Sequence, residues 1–125
     1  MKVDALLDLL AAAHAACGHR DYVVIGSVSV LGMAQVQAVP VDMTISIDAD
    51  CYTLTDPTRV FDLVSALGEG STYHQAHGVY LDPVSPHLPT LPEGWMQRLI
   101  RIERSPVVAH CLEVNDAAVS KLARG

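Results

Sequence analysis

From Val3 to Cys17 apolar positions recur at helical spacing, with Leu6, Leu7, Leu10, His14 and Cys17 on one stripe. Asp4 and Asp8 sit where they complement the helix dipole, and Gly18 marks the predicted end. The period then changes. Tyr22-Val23-Val24-Ile25 is a continuous apolar run, the pattern of a strand buried on both faces, and it stops at Gly26. Val28, Leu31 and Val36 line one side of a predicted helix over about 27–37, which Val39-Pro40 ends. A second strand is predicted from Val41 to Tyr52. Within it Thr44 to Asp50 alternates, with Ile45, Ile47 and Ala49 on one side and Thr44, Ser46, Asp48 and Asp50 on the other.

Asp56-Pro57 reads as a helix start, a capping carboxylate followed by proline in the first turn. Val60, Phe61, Val64 and Leu67 are expected to face the core, and Gly68 to stop the helix. Gly70 to Gly78 is polar and reads as a loop, leading to a short strand over Val79–Asp82. Pro83, Pro86, Pro89 and Pro92 disfavour helix and central strand alike and imply a surface crossing. Arg98–Glu103 and Val107–Glu113 are predicted strands, joined near Ser105-Pro106 as a hairpin. Asn115 or Asp116 then caps a final helix with Ala118, Val119 and Leu122 directed inward. The alternation of helices and strands predicts an α/β or α+β architecture, a sheet with helices packed against it.

With 125 residues, the chain reads as one domain, and half of it is hydrophobic. The net charge of −6 argues against nonspecific nucleic-acid binding, while leaving room for a nucleotide held through metal. No apolar run approaches the roughly 20 residues needed to span a bilayer, and the first residues lack a signal-peptide pattern. A soluble, cytoplasmic protein is expected. Cys17, Cys51 and Cys111 are widely spaced and odd in number, so they read as reduced, mostly buried small residues.

The candidate chemistry lies between Tyr22 and Tyr52. Residues two apart on a strand have Cα atoms roughly 6–7 Å apart, so Asp48 and Asp50 can both ligate one divalent cation. A strand ending in Gly26-Ser27, a short helix, then a strand carrying Asp48-Ala49-Asp50 resembles the nucleotidyltransferase superfamily, whose fold includes polymerase β. Val23 to Ser27, Leu67 to Ser71, His74 to Tyr80, Leu91 to Leu99 and Cys111 to Leu122 extend the likeness to a bacterial nucleotidyltransferase-like family. That family is related to proteins of toxin–antitoxin and abortive-infection systems.

The resemblance implies a mixed sheet with a site at Gly26, Ser27, Asp48 and Asp50. Gly26 and Ser27 would meet the phosphates of an NTP. Asp48 and Asp50 would hold Mg²⁺. A third carboxylate is expected from a later strand, with Asp82 the best position by element order and Glu103 the second candidate. No Lys or Arg lies between Tyr22 and Tyr52, leaving Lys121, Arg98 or Arg101 as cationic donors to phosphate. The likeness also implies charged helical sequence beyond the Lys121 helix, so the chain is expected to be a truncated or short member, or one completed by another subunit. A homodimer agrees with apolar strands near such an end.

Four further residues attract attention. His74 and His77 read as polar loop histidines rather than a metal pair, and Trp95 as a packing anchor. Cys51 beside two carboxylates reads as packing rather than nucleophilic. The leading expectation is a metal-dependent transferase moving NMP from NTP to an RNA or protein acceptor, in a toxin–antitoxin setting with a helical toxin or antitoxin partner. The alternative is a catalytically inactive domain of the same fold, serving as an antitoxin-like or regulatory protein-binding module. A structural subunit with an apolar surface is the third.

Overall fold

A computed structural model describes residues 1–26, 47–87 and 91–123. Helix α1 spans Val3–Cys17 and buries Leu6, Leu7, Leu9, Leu10 and Ala13. It ends at Gly18, whose φ of 82° is left-handed and whose N–H bonds the His14 carbonyl. Each fully buried leucine here contributes roughly 1.5–3 kcal/mol.

Five strands form one mixed sheet: β1 Asp21–Ile25, β2 Asp48–Thr53, β3 Tyr80–Pro83, β4 Ile100–Arg104 and β5 Val107–Cys111. Their spatial order is β3-β2-β1-β5-β4. β1 runs antiparallel to β2 and parallel to β5, β2 is parallel to β3, and β4 is antiparallel to β5. The central place of β1 explains its continuous apolar run, since Tyr22 to Ile25 are all buried. β3 is an edge strand, which is where a proline such as Pro83 can sit without breaking a ladder bond on its outer side. α1 packs on β5 and on the segment that follows β2, and Trp95 is packed against the same core as an anchor. The sheet flanked by helices is the expected α/β architecture.

Local expectations change in three stretches, after Pro57, over residues 70–78 and in the last helix. The segment after Pro57 is a 3-10 helix, Pro57–Leu63, continued by a short α2, Val64–Leu67. With three residues per turn, Val60 and Leu63 share the buried side, and α spacing then brings in Leu67. Phe61 and Val64 are therefore turned out, 46% and 48% exposed, rather than in the core. Asp56 adopts φ 55° and makes no side-chain cap; instead the Thr58 hydroxyl donates to its carboxylate at 3.1 Å.

Residues 70–78 hold a helix, α3, over Thr72–His77, not a loop. Ser71 Oγ accepts the His74 N–H at 3.1 Å, and Gly78, at φ 75°, closes the other end. Caps rather than apolar periodicity define this helix.

Helix α4 spans Val114–Ala123. Asp116 is buried rather than capping, and the Arg98 guanidinium donates two bonds of 2.9 Å to it. Ala118 and Val119 face solvent, and Ala117 packs inward. The pairing with Arg98 puts Asp116 on the core side of the helix in place of Ala118 and Val119, and the side chain of Leu122 lies outside the described residues. The helix predicted over about 27–37 and the first part of the second predicted strand lie outside the described residues. Among the described residues no helix is long and apolar enough to cross a membrane.

Candidate metal centre

Three aspartates converge because of the register between β2 and β3. In the parallel ladder Asp50 stands opposite Asp82 and Asp48 opposite Tyr80. Paired positions share a face, so the alternation along β2 and the register with β3 bring all three carboxylates together. One oxygen from each lies within 4.8 Å of the others. Among the described residues this is the one group of three or more His, Cys, Asp or Glu side chains that converges so closely. Glu103 does not join it, since β4 is three strands away from β2 and Arg101 reaches Glu103 at 3.6 Å. At about 4.8 Å per strand that separation is roughly 14 Å.

Gly26 follows the pairing of Ile25 with Asp50. Its φ is 74°, and a Cβ built there would lie 2.3 Å from Asp50 Oδ2. Glycine is thus needed for two reasons: a left-handed backbone and room for the carboxylate. Ser27 lies outside the described residues, and the side chain of Lys121, on α4, does as well.

The cluster is electrostatically uncompensated among the described residues. Asp50 is pushed up to about 7, first by burial, then by the charge of Asp48 and by the hydrogen bond and charge of Asp82. No described cation offsets that rise. Arg98 is committed to Asp116 and Arg101 to Glu103, so neither sequence-derived donor is brought to the triad. Cys51, fully buried behind the acids, has its thiol pushed up by burial and then by Asp50 and Asp82, as expected of a packing residue. Such concentrated, oxygen-only charge suits a hard divalent cation such as Mg²⁺.

Tyr80 borders the acids, its hydroxyl raised by burial and then by Asp48, Glu69 and Asp82. The His74 ring lies 4.6 Å from the Tyr80 ring, and His77 lies 4.2 Å from Tyr73. His74 Nδ1 accepts the Gly70 N–H at 2.9 Å, so the histidine pair is held by stacking and backbone. Beyond Asp82 opens a pocket of about 280 Å³ bounded by Phe61, Val64, Glu69, Tyr80, Asp82 and Pro83. The sequence reading missed this pocket. The parity of Tyr80 with Asp82 on one strand was a usable signal for Tyr80, whereas a helical period hid Phe61 and Val64.

Neither a search of curated proteins nor one of solved structures found a match. A scan against protein families matches residues 4–125 to the family described as nucleotidyltransferase of unknown function (DUF6036). With nearly the whole chain matched and three converging acids on adjacent strands, the protein belongs to this nucleotidyltransferase family.

Proposed function

We propose that this chain is a divalent-cation-dependent transferase that moves a nucleoside monophosphate from an NTP to a hydroxyl of an RNA or protein acceptor. The convergence of Asp48, Asp50 and Asp82 within 4.8 Å, beside the Gly26 turn, carries this reading. Asp48 and Asp50 would hold Mg²⁺, with Asp82 as third ligand or base. The ion, when bound, would neutralise phosphate charge and acidify the acceptor hydroxyl. Gly26 and Ser27 would lie against the phosphates, and Lys121 would add positive charge. Asp82, the most exposed of the three acids, would take the acceptor proton as the new O–P bond forms and pyrophosphate departs.

Calorimetric titration of each NTP with Mg²⁺ tests this, run beside a folded Asp48→Asn/Asp50→Asn variant. Binding to the wild type that vanishes in the variant is the expected result. No binding by the folded wild type would refute the transferase reading.

One observation favours a second reading. Among the described residues no Lys or Arg offsets the charge of the triad, which suits an inactive fold used as an antitoxin-like or regulatory protein-binding module. Nucleotide binding without transfer of label to any acceptor would favour it. Co-purification with a helical toxin or antitoxin would support the toxin–antitoxin setting.

A further inference from the structure

Cation and phosphate binding leave the pocket beyond Asp82 unexplained. We infer that it receives the acceptor as a basic peptide segment, whose serine, threonine or tyrosine hydroxyl is directed at Asp82. The placement of that hydroxyl rests on the transferase reading above.

Position is the first reason. Gly26 lies on the β1 side of the triad, whereas the pocket lies on the β3 side and shares Asp82 with it. A nucleotide anchored by its phosphates near Gly26 leaves the pocket free for the second substrate.

Charge is the second. The carboxylates of the pocket walls are Glu69 and Asp82, and Asp48 and Asp50 stand behind them. Of the eight Lys and Arg in the sequence, none falls within 27–46 or 88–90; Lys2 precedes α1, and the Lys121 side chain and Arg124 lie outside the described residues. Arg59, Arg98, Arg101 and Arg104 are paired with Asp62, Asp116, Glu103 and the Asp4–Asp8 pair. Arg20 donates to the Pro106 carbonyl at 2.9 Å. An RNA strand is held chiefly by cations along its phosphates, and these walls repel it. Arginine or lysine side chains are attracted instead.

Shape is the third. Phe61 and Val64 are each about half exposed beside the acids. A ring face next to a carboxylate suits a guanidinium, and Val64 and Pro83 suit the aliphatic stem behind it. The volume of about 280 Å³ accommodates side chains rather than a folded partner. In the transfer step the peptide oxygen bonds to the α-phosphorus, the bond to pyrophosphate breaks, and the hydroxyl proton passes to Asp82.

The test measures binding before chemistry. A fluorescein-labelled peptide of alternating arginine and serine is titrated into the full chain without nucleotide, beside a glutamine–serine peptide and a single-stranded RNA oligomer. The arginine peptide is expected to bind best, and Glu69→Gln or Phe61→Ala to weaken it roughly fivefold. Both side chains are exposed, so the variants should fold, and circular dichroism checks this. NTP affinity is expected to stay unchanged in both. Preference for RNA, equal binding of the neutral peptide, or unaltered binding by Glu69→Gln would overturn the inference. So would a loss of NTP affinity in Glu69→Gln with peptide binding intact, which would make the pocket a nucleobase site. Failure of the transferase reading reads out separately, as absent NTP binding with peptide binding retained.

Discussion

Replacing Asp50 with asparagine should stabilise the metal-free protein at alkaline pH, although it removes a native side chain. Asp50 titrates near 7 against an ordinary 3.8, with burial the first cause and Asp48 and Asp82 the next. At 1.36 kcal/mol per pH unit the full difference is about 4 kcal/mol. The side chain is only partly buried, and solvent screens its neighbours, which reduces the expected effect to about 1–2 kcal/mol. The sign follows from proton linkage. The folded state holds this proton more tightly than the unfolded state, so wild-type stability falls as pH rises from about 4 to about 7 and levels off above. An asparagine side chain carries no charge at any pH in this range, so the variant should lack that fall.

Thermal unfolding in EDTA should therefore place Asp50→Asn about 5 °C above wild type near pH 8.5, with the gap closing near pH 5. Mg²⁺ at about a hundred times its Kd should then raise the wild type by about 2.7 kcal/mol and leave the variant nearly unmoved, reversing the order. A variant less stable than wild type in EDTA at alkaline pH would refute the reasoning. A gap independent of pH would refute it as well.

Other outcomes follow from the same geometry. Gly26→Ala combines a left-handed alanine, costing about 1–2 kcal/mol, with a Cβ driven into Asp50 Oδ2; urea denaturation should show at least that loss, and Mg²⁺ stabilisation should disappear. Leu63→Ala should cost about 2–4 kcal/mol, whereas Phe61→Ser should change stability by about 0.5 kcal/mol or less. Equal losses in chemical denaturation would contradict the three-residue turn after Pro57. Asp116→Ala should lower the melting midpoint more than Arg101→Ala, because Asp116 is buried under two Arg98 bonds while Arg101 and Glu103 are exposed. Comparable midpoints would contradict that ranking.

Much of this fold is local, and local features were legible in the chain. The α1 stripe, the buried run of β1, the hairpin of β4 and β5 and the shared side of Asp48 and Asp50 each follow from periodicity within a few residues. Two local features misled because the signal was of another kind. α3 is held by Ser71 and Gly78 at its ends, so polarity alone made it a loop, and the segment after Pro57 turns every three residues, so α spacing assigned Phe61 and Val64 to the wrong side.

The choice between Asp82 and Glu103 had no local answer. Both acids end short predicted strands, and only the order β3-β2-β1-β5-β4 puts one beside Asp50 and the other at the opposite edge. The contact of Gly26 with Asp50 is decided in the same way, by two strands pairing in one register. Periodicity depends on the chain's own geometry and can be read from the sequence. Convergence of charges depends on which strands pair, a balance of burial over the whole sheet that no single segment contains.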